Sequence, residues 1–143
     1  MTDRLSKPIG PVSHPVLQQI RDIFLTEEPL VETTQFDSPV SPSELVIEFQ
    51  SGLDAAGRFE ITWWEQGAYR VHYTEPDGID FRFDRHPKEA APESHFHPPP
   101  DAGQAEPSIL AGTTQPQVVT RVIIAQWRNA IVDQGDPTLL NER

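Results

Sequence analysis

The chain has 143 residues and no cysteine, which excludes disulfide bridges, thiolate metal sites and a cysteine nucleophile. Hydrophobic residues make up 36 % of it, enough for one domain. No apolar run is long enough for a membrane span or a signal peptide, so we expect a cytoplasmic protein that does not enter a membrane. The net charge is −11 with only two lysines, Lys7 and Lys88, which favours adaptation to concentrated salt, a basic partner being the alternative.

Two helices are predicted, one towards each end of the chain. Apolar residues recur at helical spacing over residues 16–24, after an extended lead-in over residues 1–15, and Pro29 ends this helix. A second helix is expected over residues 116–132, where the apolar stripe is wide enough to cover a sheet. A strand would also tolerate the β-branched residues of this segment.

The region between the helices alternates apolar and polar residues, which is typical of half-buried strands. Strands are predicted over residues 45–49, 59–63, 69–73 and 79–83, with a short one over residues 30–36. Gly67 and Gly78 suit three-residue turns with glycine in the left-handed conformation. The chain is therefore expected to form a single α+β domain over residues 1–143. It is an antiparallel β-meander of four or five strands, packed on one face by the N- and C-terminal helices.

The segment over residues 85–116 is rich in proline, with HFHPPPDAG at its centre. Proline has no backbone N–H and favours polyproline-like extension over strand pairing. This segment is therefore predicted to be an irregular loop.

The turn register brings charged residues together on the polar face of the meander. Glu60, His72 and Arg82 are predicted to lie side by side, and Arg70 lies opposite Asp84 in the next row. Such residues supply acid/base groups and phosphate-binding cations, a workable arrangement for a ribonuclease that needs no metal ion. The alternative is a solvated sheet face on which opposite charges alternate because cross-strand pairs are mildly favourable.

Three histidines lie in or beside the proline-rich segment. His95 and His97 present their imidazoles on one side of an extended chain, and His86 or Asp84 could complete a site for zinc, manganese or nickel. The alternative is that the pair anchors the loop through backbone hydrogen bonds, with the phenylalanine between them buried. We expect both residues to hold the segment against the end of the last predicted strand, near His86 and Arg82, in one shared site.

Two further residues are candidate binding residues. Trp64 is predicted to point outward, because its neighbour Trp63 belongs to the core, and it suits contact with a partner or a nucleobase. Arg85 is a candidate cation at the end of the last predicted strand. The sequence contains no phosphate loop, dinucleotide fingerprint or nucleophile elbow, so no cofactor is expected.

A tyrosine-rich strand, a DG turn, an R-x-D strand end followed by a histidine, and an H-x-H before prolines succeed one another over residues 69–103. The residues that form this pattern are Tyr69, His72, Tyr73, Asp77, Gly78, Arg82, Asp84, His86, His95 and His97. The pattern resembles toxins of the TumE type, which belong to two-gene toxin–antitoxin modules, and especially their relatives from salt-loving archaea. The resemblance implies a growth-inhibiting protein held in check by a cognate antitoxin, usually a helix-turn-helix DNA-binding protein.

Two hypotheses follow, from different classes of protein. In the first, the chain is a toxin-like enzyme that acts on RNA, with His72 as the acid/base and Arg70 and Arg82 binding phosphate. In the second, it is a non-catalytic binding or regulatory module. Its exposed sheet face, Trp64 and the proline-rich loop would then engage a protein partner.

Overall fold

The computed structural model of the chain describes residues 10–86, 94–133 and 135–142. Helix α1, His14–Glu27, begins directly after Ser13, whose side chain accepts the N–H of Val16 at 3.3 Å and caps the helix. Helix α2, Pro116–Val132, confirms the predicted second helix, and a short 3-10 helix, Pro137–Asn141, follows it. No helix in the described ranges is both long and apolar enough to cross a membrane.

One antiparallel sheet contains every strand of the described residues, and the order of the strands in the sheet is their order in the chain. The strands are β1 Val31–Phe36, β2 Leu45–Phe49, β3 Arg58–Trp63, β4 Tyr69–Thr74, β5 Asp80–Arg85, β6 Ser94–His97 and β7 Glu106–Pro107. The α+β class is confirmed, but the prediction of four or five strands was too low, because the sheet has seven.

The two additional strands, β6 and β7, lie where an irregular loop was predicted, so that prediction was wrong for this part of the segment. The residues of β6 include no proline, and the prolines at positions 98–100 follow its last residue. Pro107 lies in β7, at the edge of the sheet, where a missing N–H removes no ladder hydrogen bond. Of the predicted lead-in, residues 1–9 lie outside the described residues, and Val12 forms an isolated antiparallel bridge with Trp64.

The predicted turn register is confirmed. Tyr73 lies opposite Phe81, and Trp63 lies opposite Tyr69. Gly67 and Gly78 have φ angles of 94° and 101°, the left-handed conformation that three-residue turns require. Because a shift of one residue would exchange the two faces of the sheet, these turns determine which side chains are buried.

Both helices pack on one face of the sheet. Their buried residues are Leu17, Ile20, Ile23 and Phe24 of α1 and Val119, Thr120, Ile123, Ile124, Trp127 and Ala130 of α2. Trp127 lies with its ring centroid 4.3 Å from that of Phe49, in a cluster of aromatic rings contributed by the sheet. The helices thus bury one face of the sheet, and the other face, which we call the open face, points away from them.

Candidate active site on the open face of the sheet

The open face carries two adjacent rows of polar side chains across the central strands. The first row consists of Glu60, His72, Arg82 and His97, and the second of Thr62, Arg70, Asp84 and His95. Residues directly opposite each other on neighbouring strands have Cβ atoms about 5 Å apart, so their side chains are in reach of one another. The structure therefore brings the predicted acid/base, carboxylate and cationic residues together on one surface.

His72 lies between two carboxylates. Its Nε2 is 2.7 Å from Oδ1 of Asp80, and its Nδ1 is 3.8 Å from Oε1 of Glu60. The other carboxylate oxygen of Glu60 accepts a hydrogen bond from Arg58 at 2.7 Å. The side chain of His72 is 27 % exposed, so the ring is held by its carboxylate contact and remains partly accessible to solvent. A histidine that a carboxylate orients in this way is suited to proton transfer.

Asp80 was not among the predicted site residues. It lies on β5 opposite Thr74, two residues before Arg82 and on the same face of the sheet. Since Arg82 is opposite His72, Asp80 is diagonal to His72. The signal was present in the sequence, because the period of two that places Arg82 and Asp84 outward also places Asp80 outward.

Asp84 is a buried carboxylate that links β5 to β6. It is only 5 % exposed, and one of its oxygens contacts Nε of Arg82 at 3.0 Å and Nε2 of His97 at 3.2 Å. Within the described residues the terminal nitrogens of Arg82 make no hydrogen bond, so they remain available on the open face. Asp84 therefore orients its neighbours and does not itself face solvent.

The two histidines of β6 differ in their surroundings. His97 is fully engaged, because its Nδ1 donates to the carbonyl of Gly103 at 2.9 Å and its Nε2 contacts Asp84. His95, opposite Asp84, is half-buried and has no side-chain hydrogen bond or ion pair to any part of the chain that the structure describes. The strand that carries both residues pairs with β5, with His97 directly opposite Arg82, but only His97 holds the segment through its side chain. The expected anchoring role of the His95 side chain is not seen in the described residues.

The metal hypothesis finds no site among residues 10–86, 94–133 and 135–142. No group of three or more histidine, aspartate or glutamate side chains there is arranged to hold a metal ion. Both ring nitrogens of His97 are already in contacts within the chain, Nδ1 with the carbonyl of Gly103 and Nε2 with Asp84.

Arg70 is an exposed cation that makes no ion pair or hydrogen bond within the described residues. Its positive charge affects the pKa of Glu44. Burial raises the pKa of Glu44, the negative charges of Glu60 and Asp37 raise it further, and the positive charge of Arg70 opposes that shift. The guanidinium of Arg70 is therefore free to bind an anion from solution.

The remaining predicted binding residues lie at one end of the site. Trp64 follows β3 and is half-buried, and its ring centroid is 6.3 Å from that of His86. Arg85 is placed differently from the other cations, because it lies in register with Tyr69 of the core and donates to the carbonyl of Gly67 at 3.1 Å. Arg85 thus holds the turn between β3 and β4, and Trp64 and His86 extend the open face beyond Arg70.

Comparison with known proteins gives one result. A family model described as Toxin TumE matches residues 20–131, which include all seven strands and both rows of the open face. The comparisons with curated proteins and with solved structures found no match.

Proposed function

The chain belongs to the TumE toxin family, and from this premise we propose that it is the toxin of a two-gene toxin–antitoxin pair and acts by cleaving RNA. Membership of a toxin family implies a cognate antitoxin that keeps the toxin inactive. We propose that this antitoxin is a helix-turn-helix DNA-binding protein, as is usual for the relatives that the sequence resembles.

The observation that carries the proposal is the contact of 2.7 Å between His72 and Asp80, placed directly beside Arg82. When Asp80 accepts the Nε2–H of the ring, the lone pair of a neutral imidazole is on Nδ1. Nδ1 then serves as the general base that removes the proton of a ribose 2′-hydroxyl. Asp80 and Glu60, one at each ring nitrogen, stabilise the imidazolium that this step forms.

Arg70 and Arg82 supply the phosphate-binding groups. Both lie beside His72, one on its own strand and one opposite it, and each has guanidinium nitrogens without a partner in the described residues. Guanidiniums bind phosphate oxygens in pairs of parallel hydrogen bonds, and they stabilise the additional negative charge of a pentacoordinate transition state. The base and the cations are therefore placed for one phosphodiester group.

Trp64 extends this site towards the neighbouring nucleotide. Its half-buried indole lies just beyond the row that contains Arg70, where a base attached to the bound phosphate can stack on it. Such stacking depends little on the base, so the site is expected to select single-stranded RNA more strongly than any particular sequence.

The test is cleavage of a synthetic single-stranded RNA and of the same sequence as DNA by the purified protein. We expect cleavage of the RNA only, because DNA lacks the 2′-hydroxyl, and a loss of about 100- to 10,000-fold in the His72→Ala variant. His14→Ala is the control, since His14 packs on Phe36 away from the open face. Growth arrest on expression should follow the same pattern. Full growth arrest by a correctly folded His72→Ala variant would refute a nuclease mechanism based on this residue.

A second candidate function is supported by the ion pairs of the open face. Arg58 pairs with Glu60 at 2.7 Å and Arg82 with Asp84 at 3.0 Å, so much of the charge on this face is neutralised within the chain. A balanced polar surface with a tryptophan at its border also suits a non-catalytic module that binds a protein through the face and the loop over residues 98–105. In that case growth arrest would persist in His72→Ala and be lost in Trp64→Ala.

A further inference from the structure

We infer that His95 is the general acid of the proposed RNA cleavage and protonates the leaving 5′-oxygen. This inference rests on the proposed function and adds a second catalytic residue to it. Two observations support it: His95 lies on the open face, and its ring has no partner in the described residues. In addition, the reaction requires a second proton-transfer group.

The position of His95 relative to His72 is set by the sheet. His72 lies on β4 and His95 on β6, with β5 and its Arg82 between them. Two interstrand spacings separate the backbones of β4 and β6 by about 10 Å. His95 stands opposite Asp84, one row along from His72 and Arg82, so the two imidazoles lie diagonally across β5 on the open face. One phosphodiester group held by Arg82 fits between them, with a proton-transfer group on each side.

The contrast with His97 shows which histidine of β6 is available. His97 is 17 % exposed and uses both ring nitrogens, on Asp84 and on the carbonyl of Gly103. Asp84 lies directly opposite His95 but contacts Arg82 and His97 instead. His95 therefore keeps its ring nitrogens for a substrate, although a carboxylate lies nearby. His97 is a positioning residue, because it fastens the strand that carries His95.

The reaction needs a group other than His72 to supply a proton. An alkoxide is a poor leaving group, and Nε2 of His72 is committed to Asp80. In the proposed step Nδ1 of His72 takes the proton of the 2′-hydroxyl, and the oxygen forms a bond to phosphorus. The bond from phosphorus to the 5′-oxygen breaks with its electron pair on that oxygen, which takes a proton from His95. The products are a 2′,3′-cyclic phosphate and a free 5′-hydroxyl, and water returns the two histidines to their starting protonation states.

The experiment compares a normal RNA linkage with one in which sulfur replaces the 5′-bridging oxygen. A thiolate leaves without protonation, so the sulfur substrate needs a general base but no general acid. We expect His95→Ala to cleave the normal linkage about 100- to 10,000-fold more slowly than the unchanged protein and to recover most of that loss on the sulfur linkage. His72→Ala should be slow on both substrates, and His14→Ala should match the unchanged protein. His95→Gln, which keeps a polar side chain, repeats the test if the alanine variant folds poorly.

Each outcome decides between the inference and the function on which it rests. If His95→Ala cleaves the normal linkage at full rate, or is equally slow on both linkages, His95 is not the general acid and the inference is wrong, while the ribonuclease proposal stands. If the unchanged protein cleaves neither substrate, the ribonuclease proposal fails and the inference fails with it. Cyclic phosphate ends together with selective recovery on the sulfur linkage support both.

Discussion

Replacing Glu75 by glutamine is expected to destabilise the fold more than any single substitution on the open face. Glu75 follows β4 directly and is 6 % exposed. One of its oxygens accepts the N–H groups of Asp54 at 2.9 Å and Ala55 at 2.8 Å. The other accepts the N–H of Leu53 and the hydroxyl of Tyr73, both at 2.6 Å. A single buried carboxylate thus holds the loop between β2 and β3 against the end of β4.

The magnitude follows from this set of four donors. Burial raises the pKa of Tyr73 and its hydrogen bond to Glu75 raises it further, so the hydroxyl stays protonated and, like the three N–H groups, donates to the carboxylate. A glutamine has one acceptor oxygen, and its NH2 group would face donors. At least one backbone N–H loses its hydrogen bond to a charged group, worth about 1.5–3 kcal/mol, and the remaining bonds become weaker bonds to a neutral group, which together gives about 3–6 kcal/mol. That is a large part of the about 5–15 kcal/mol by which native proteins are stable.

The assay is equilibrium unfolding in urea, followed by tryptophan fluorescence and circular dichroism together. Glu75→Gln should lower the free energy of unfolding by about 3–6 kcal/mol, whereas Glu65→Gln, at an exposed position in the turn after β3, should change it by less than about 0.5 kcal/mol. Tyr73→Phe removes one of the four donors and should have an intermediate effect. A loss below about 1 kcal/mol for Glu75→Gln would show that the loop does not depend on this carboxylate.

Four further predictions concern charge. Burial and nearby carboxylates raise the pKa of Glu44, so its ionised form destabilises the fold. The Glu44→Gln variant should therefore have a higher melting temperature at pH 7. This gain should vanish below the ordinary glutamate pKa of about 4.3, where the carboxyl group is protonated in both the folded and the unfolded state. Asp37→Asn should do the opposite, because the hydroxyl of Ser43 lowers the pKa of Asp37, and equal signs for the two variants would contradict this reasoning. Asp84→Asn should cost about 3 kcal/mol and remove hydrogen-exchange protection from β6; retained protection would show that Asp84 does not fasten that strand. The melting temperature should rise steeply between low and molar KCl, as a Debye length of about 3 Å screens the surface charge, and a flat response would favour a basic partner.

The parts of the fold that could be predicted are those in which local chemistry determines geometry. The three-residue turns at Gly67 and Gly78 fix the pairing of β3, β4 and β5, and with it the rows that bring Arg82 beside His72. Once the turns are known, the period of two assigns each side chain to a face. The arrangement of side chains on the central part of the open face could therefore be predicted from the sequence.

The parts that were missed depend on contacts between distant segments. Because of the prolines at positions 98–100, β6 was predicted as part of an irregular loop. It forms a strand because its backbone pairs with β5 and its His97 contacts Asp84. Likewise, no local pattern shows that Glu75 binds the backbone of residues 53–55, since the two segments meet only when the sheet has formed. Side chains that act across the fold become visible only in three dimensions.

The agreement between strand order and chain order has a consequence for when the protein becomes able to act. Each strand finds its partner in the segment synthesised just before it, so the hairpins can pair while the chain is still being made. The aromatic face of that sheet is nevertheless not fully covered until α2, which follows all seven strands in the chain, supplies Trp127. A nascent chain without α2 is therefore expected to lack a stable open face, so toxicity is expected only after all seven strands and α2 have been synthesised.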